Sequence, residues 1–330
     1  MTRIGINPAR GKRSVYRPAR VTVAVLAWIP SLDGYFRHRF DVLKLTLNSL
    51  LAYTSLPRDV MVMDNGSCPE VVDYLKDLHQ QGAIDYLLLS RCNMGKIGAF
   101  QVLFHAAPGE IVAYSDDDIL FYPGWLEAHL QIIDTYPRVG MVSGIPVRDA
   151  SNRARQSLMK WVSKHPEGLE HLEDYPLPDA WEEDWALSTG RDPQAHLADI
   201  RDQQEWVLRY RGVMAYGSAS HFQFVAPKAI LQQALPGAWS GDLMGRMVEL
   251  DEAVDRLGYL RLSTTERYTR HIGNAISADL AEEIREMGLA VSPEISSLKQ
   301  KRHWLLRVPG SGRFLRWLYD QLFVILHQGK

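Results

Sequence analysis

The chain has 330 residues, of which 46% are hydrophobic and 23% charged, enough to bury one large core or two intimately packed ones. Its 37 basic residues against 39 acidic ones leave a net charge of -2, so no global field favours nucleic acid. No apolar run approaches the roughly 20 residues that span a bilayer, and the basic N-terminus lacks the apolar core of a signal peptide, which makes the cytoplasm the expected location. The two cysteines, Cys68 and Cys92, show neither CxxC nor zinc-like spacing and read as free thiols in a reducing compartment.

Apolar runs and helical periods alternate through the first half. Val21 to Ala27 is a continuous apolar run suited to a strand buried on both faces. Phe40, Leu43, Leu47 and Leu50 follow at the spacing of an amphipathic helix. The cycle repeats: strand Val60 to Met63, helix through Val72, Leu75 and Leu78, strand Ile84 to Leu89, helix through Ile97, Phe100, Leu103 and Phe104, strand Ile111 to Tyr114. A helix from Trp125 to Tyr136 and a strand from Val139 to Ser143 complete it, which is βαβ logic and places ligands beyond the carboxyl ends of the strands. From about Asp149 to Arg211 a charged, Trp- and Pro-rich stretch reads as an insertion beside the site, either a surface excursion or an acceptor-binding lid. Strand character returns over Val213 to Ala226, a helix is expected from about Leu243 to Leu257 with Gly258 as its C-cap, and Leu260 to Thr264 reads as another strand. From Leu298 onward, basic residues alternate with Trp304, Phe314, Trp317 and Phe323 in a helical tail suited to a membrane surface, a dimer contact or packing on the core.

The run Ser115-Asp116-Asp117-Asp118 places three carboxylates at a strand end. Consecutive like charges raise one another's pKa and make most sense where a divalent cation or a polyhydroxylated ligand meets them; the alternative is a solvated turn before the next helix. In extended backbone Asp116 and Asp118 share a side and Asp117 points away.

The opening strand, the segment Met61-Val62-Met63-Asp64-Asn65-Gly66-Ser67, the segment Asn93-Met94-Gly95-Lys96-Ile97-Gly98-Ala99, and Ser115-Asp116-Asp117-Asp118 with Pro123-Gly124-Trp125-Leu126 together resemble the nucleotide-binding half of GT-A glycosyltransferases, specifically glycosyltransferase family 2, over residues 20–145. The resemblance weakens over Val213 to Asn274 and is absent from the insertion and the tail. It implies an α/β fold with a mixed, Rossmann-like sheet flanked by helices. The expected organisation is a catalytic domain over 20–295, comprising a donor half (20–145), the insertion (149–211) and an acceptor-side half (212–275), then the tail (296–330). The implied activity is transfer of a sugar from a UDP-, GDP- or dTDP-linked donor to a hydroxyl acceptor, with inversion, in cell-surface polysaccharide or glycolipid assembly. A lipid-linked acceptor would suit a protein peripheral to the cytoplasmic face of a membrane.

The same resemblance assigns roles. Asp118 would contact Mn²⁺ or Mg²⁺, Asp116 would support the metal or touch the ribose, and Asp117 would lie near the sugar. Asp64 would read the nucleobase edge, its other reading being a turn-former before Asn65-Gly66; Asn93 and Lys96 would meet base or phosphate. His271 resembles a late metal ligand, imidazole being acceptable to Mn²⁺, while His221 reads as packing or lining the acceptor cleft. For the general base, the chain departs from the family's Glu-Asp pair: Asp251, bordering the apolar helix face, comes first, and Asp242 at the expected N-cap position second. Two rivals stand beside this reading. A nucleotidyltransferase would be expected to carry a glycine-rich loop where this chain has Trp28-Ile29-Pro30-Ser31. A catalytically silent nucleotide- or sugar-binding protein would keep the donor half without a base.

Overall fold

The apolar run Val21–Ala27 forms β1, buried throughout, and its side chains divide by alternation between two cores. Val21, Val23 and Val25 meet Leu43, Leu47 and Trp125 on one face, while Ala24 and Leu26 meet Phe100, Phe104 and Tyr114 on the other. Helices therefore cover both faces of the sheet, the condition under which strands read as unbroken apolar runs. The computed structural model describes residues 5–55, 57–146, 148, 153–172, 177–203, 206–236, 243–244 and 247–289.

In chain order, β1 is followed by α1 (Arg39–Tyr53), β2 (Arg58–Asp64), α2 (Pro69–Gln80), β3 (Tyr86–Leu89), α3 (Gly95–Ala106), β4 (Ile111–Asp116) and β5 (Ile119–Phe121). Next come α4 (Trp125–Thr135), β6 (Val139–Ser143), α5 (Gln156–Val162), β7 (Leu169–Leu172), α6 (Asp179–Ser188), α7 (Pro193–Ile200), β8 (Val207–Tyr210) and β9 (Val213–Tyr216). The remainder is β10 (Gln223–Pro227), α8 (Lys228–Ala234), α9 (Val248–Arg256), β11 (Leu260–Ser263), β12 (Thr269–His271) and α10 (Ala278–Glu286). One sheet runs β3-β2-β1-β4-β10-β6-β11-β9-β8-β7, and β12 pairs with β5 in a separate ribbon. The expected mixed α/β architecture is present: β3, β2, β1 and β4 are parallel, and β10 runs antiparallel between β4 and β6.

Three expectations need correction. The run Val213 to Ala226 is two strands, not one, because it bends at Gly217, where a Cβ would stand 2.7 Å from Leu158 Cδ2 and 2.8 Å from Trp206 Cβ. The helix expected from Leu243 starts at Val248 with Met247 at the N-cap, so Asp242 does not hold that position and itself lies outside the described residues. The insertion is not merely an excursion: β7 and β8 extend the main sheet.

The chain divides into two compact units, residues 1–276 and 277–330. In the second, α10 is capped by the Ser277 side chain, which accepts the Leu280 N–H at 3.2 Å. The basic, aromatic tail expected over 296–330 lies outside the described residues. Among those described, no helix is long and apolar enough to cross a membrane.

Candidate active site

The carboxyl ends of β2 and β4 carry the polar residues singled out in the sequence. Asp64 closes β2, 1% exposed, and its carboxylate accepts the N–H groups of Gly66 and Ser67 at 3.1 Å. It thus does the work of a turn-former. Asn65 Nδ2 donates to Asn93 Oδ1 at 2.9 Å, and Asn65 Oδ1 accepts the Met94 N–H at 3.0 Å, which fastens this turn to the start of α3. There Lys96 reaches Asp116 Oδ2 with Nζ at 2.6 Å, while the Tyr114 hydroxyl donates to Asp116 Oδ1.

Asp117 and Asp118 leave the strand in a turn, so the alternation that would put Asp116 and Asp118 side by side is broken. Instead Asp117 and Asp118 share one cation. Arg39, the first residue of α1, pairs with Asp117 through Nη2 and with Asp118 through Nη1 at 2.6 Å, and Nη1 also donates to the Gly273 carbonyl at 3.2 Å. Thr46 Oγ1 fixes the turn by donating to the Asp117 carbonyl at 3.2 Å and accepting the Ile119 N–H at 3.1 Å. Burial pushes the Asp117 carboxyl up to about 6, with Arg39 opposing and Asp118 adding to the rise. Burial acts upward on Asp118 too, but the His271 and Arg39 charges outweigh it and hold that carboxyl below its ordinary value. On Arg39 burial favours loss of the proton, and the two carboxylates outweigh it, so its pKa rises.

The ribbon of β5 and β12 sets His271 opposite Ile119, one residue from the acidic turn. The Ile272 N–H donates to the Asp118 carbonyl at 2.8 Å, and His271 Nε2 stands 3.4 Å from Asp118 Oδ2. Asp118 Oδ1 is buried without a hydrogen-bond partner. The structure thus brings together Asp118 and His271, 153 positions apart in sequence, but turns Asp116 to Lys96. Among the described residues no group of three His, Cys, Asp or Glu side chains has metal-holding geometry. The unpartnered Asp118 Oδ1, on a carboxylate whose other oxygen lies 3.4 Å from the His271 imidazole, would nevertheless suit a hard divalent cation.

A second polar group lies beside the first. Asp251 on α9 is 5% exposed, its Oδ2 3.0 Å from His221 Nδ1 and its Oδ1 3.0 Å from Arg261 Nη2. The Arg261 contact is a close charge pair without the alignment of a hydrogen bond, since Oδ1 has no aligned donor. His221 precedes Phe222, whose carbonyl accepts the Asp116 N–H at 2.8 Å. The Phe222 ring contacts both imidazoles, with centroids 5.9 Å from His221 and 5.3 Å from His271.

The sequence reading missed Arg39 and Ser188. Arg39 had a signal: it sits four residues before Leu43 on the apolar stripe of α1, where a charge faces inward. Ser188, whose hydroxyl lies 2.8 Å from His271 Nδ1, had none, because a lone serine at the end of a charged, Trp-rich stretch carries no pattern of its own.

Residues 35–188 match the family model described as Glycosyl transferase family 2. The "Uncharacterized glycosyltransferase alr2836" of Nostoc sp. is 29% identical over 111 residues, and that match spans 34% of this chain and 34% of the relative, about a third of each. Among solved structures, Staphylococcus aureus TarS 1–349 is similar with 14% identity and a TM-score of 0.44, covering 82% of this chain and 64% of that one. The mannosyltransferase PcManGT of Pyrobaculum calidifontis, in complex with GDP-Man and Mn²⁺, is similar with 15% identity and a TM-score of 0.42, covering 76% and 55%. The family match thus covers residues 35–188, a little under half of the chain; it takes in the acidic turn and, contrary to expectation, the insertion as far as Ser188.

Proposed function

We propose that this protein is a metal-dependent glycosyltransferase that moves a sugar from a nucleotide-sugar donor to a hydroxyl acceptor in a single inverting displacement. The observation that carries the reading is the meeting of Asp118 and His271 at the carboxyl end of β4, with one Asp118 oxygen buried and unpartnered, inside a chain whose residues 35–188 match a glycosyltransferase family.

Asp118 and His271 would hold the cation, Mn²⁺ or Mg²⁺. Such an ion, when bound, stabilises the charge that grows on the leaving diphosphate. The chain's own residues supply the rest. Lys96, held by Asp116, brings a second positive charge to the same strand end. Arg39 keeps Asp117 and Asp118 apart from solvent and from each other's repulsion, so that the turn is preformed when donor arrives. Asn65 and Asn93, with the Asp64 turn, shape the far wall, where Asp64, Asn93 and Lys96 are proposed to meet the nucleotide. Ser188 orients the His271 ring from its other nitrogen.

The test is a thermal-shift series with UDP, GDP, dTDP and CMP, with and without Mn²⁺, on the parent protein and on Asp118→Asn. A ligand that binds only the folded state raises the melting temperature. Selective, Mn²⁺-dependent stabilisation that the variant loses is the expected result. Stabilisation by no nucleotide would overturn the transferase reading, and binding without any donor turnover would favour a silent binding protein.

A further inference from the structure

We infer that His221 is the group that takes the proton from the acceptor hydroxyl, and that Asp251 acts through it as a positioning residue. This rests on the glycosyltransferase reading and names the base that reading requires.

Asp251 is badly placed to act alone. Its side chain is 7% exposed, its Oδ2 is held by His221 and its Oδ1 faces Arg261, a side chain only 2% exposed. A hydroxyl could not come within hydrogen-bond reach of this carboxylate without displacing His221. His221 itself is 28% exposed, and among the described residues its Nε2 makes no protein hydrogen bond. A carboxylate has only lone pairs to offer, so Nδ1 of the neutral ring must carry the proton shared with Asp251, which leaves the lone pair on Nε2. Arg261 balances the carboxylate charge from behind and fixes it by donating to the carbonyls of Arg153 and Ala219.

The position is also right. His221 adjoins Phe222, which accepts a hydrogen bond from the Asp116 backbone and meets His271 edge-on with its ring, so the dyad borders the acidic turn. Among the described residues, the charged group that pairs with the dyad is Arg261. In the step, the acceptor O–H proton passes to Nε2 as the oxygen lone pair forms the new bond to the anomeric carbon. The bond from that carbon to the donor diphosphate breaks, its electron pair leaving with the nucleoside diphosphate. The resulting imidazolium keeps its Nδ1 proton on Asp251 and returns the Nε2 proton to water after product leaves.

The experiment uses water as the acceptor. Hydrolysis of UDP-glucose, UDP-N-acetylglucosamine, GDP-mannose and dTDP-rhamnose is followed with Mn²⁺ for the parent, His221→Ala and His221→Gln, alongside the thermal shift given by the matching nucleoside diphosphate. For a donor the parent hydrolyses, both variants are expected to keep the shift and lose about 100-fold in kcat, the scale of a general base. Added imidazole is expected to restore activity to His221→Ala, a response that a purely structural histidine would not give. His221→Gln keeps the bulk and a hydrogen bond to Asp251, so it carries the test if His221→Ala is unstable. Turnover within twofold of the parent in either folded variant, or a loss that imidazole does not relieve, overturns the inference while the transferase reading stands. A parent that neither binds nucleotide nor hydrolyses any donor overturns that reading and this inference together.

Discussion

The Ser188 hydroxyl stands 2.8 Å from Nδ1 of His271, so the last residue of α6 holds the imidazole whose other nitrogen faces Asp118. A ring held at one nitrogen presents the other in a fixed direction, and such supporting contacts are commonly worth 10–100-fold in metal affinity. Ser188→Ala is therefore expected to weaken Mn²⁺ binding by roughly tenfold or more. A Mn²⁺ titration of the nucleotide-bound protein, read by melting temperature, checks it; an unchanged midpoint would remove Ser188 from the site.

Arg39 is the sole cation that pairs with both Asp117 and Asp118 among the described residues. Removing one partner of a buried ion pair strands the other, at a cost of about 3–5 kcal/mol. Arg39→Gln should lose stability on the order of 3 kcal/mol in urea unfolding with EDTA present. Mn²⁺ should return part of that loss, because it meets the same carboxylates. A variant as stable as the parent in EDTA would contradict this account of the acidic turn.

Gly273 has φ +79°, and the Ser188 carbonyl oxygen occupies the place where its Cβ would go. Gly212, at φ +83°, has nothing within 4 Å of that place. Both Gly→Ala changes carry the left-handed backbone cost of about 1–2 kcal/mol, but only Gly273→Ala must also push the loop after His271 off α6. Its unfolding free energy should fall below that of Gly212→Ala, and its Mn²⁺ response should weaken. Equal losses would show that the loop accommodates the methyl group.

His129 is fully buried, its Nδ1 2.6 Å from the Trp125 carbonyl, and burial lowers its pKa from 6.5 to about 4. In the unfolded chain the ring gains a proton as pH falls through 6.5, while the folded protein resists until about 4. The unfolded state then binds more protons, so this residue's effect is absent above neutrality and destabilises progressively between those values, by up to about 3 kcal/mol. Urea unfolding at pH 7 and pH 5 should show a larger drop for the parent than for His129→Gln. Equal drops would mean that other groups set the acid sensitivity.

Much of this was legible in the sequence, and the gaps have physical causes. β1 and β6 fall where their apolar runs placed them, because a strand buried on both faces needs nothing but apolar side chains. The same composition hides direction, so nothing in Gln223–Pro227 announced that β10 runs antiparallel between β4 and β6. The ribbon that carries His271 to Asp118 has three residues in each strand, too few for a period to register. Asp116 was read as a partner of Asp118 from extended geometry, and the turn immediately after it decides otherwise.

The place of β10 in the sheet bears on how the chain is made. Strands β1 to β4 are complete once residue 116 has been synthesised, and they leave β4, Ile-Val-Ala-Tyr-Ser-Asp, as an apolar edge whose neighbour is encoded more than a hundred residues later. An unpaired apolar edge is a template for pairing with other chains. At roughly 5–20 residues per second of translation it stays open for about 5–20 seconds. Nascent-chain association should be greatest in that window and end when residues 223–227 leave the ribosome and close the edge.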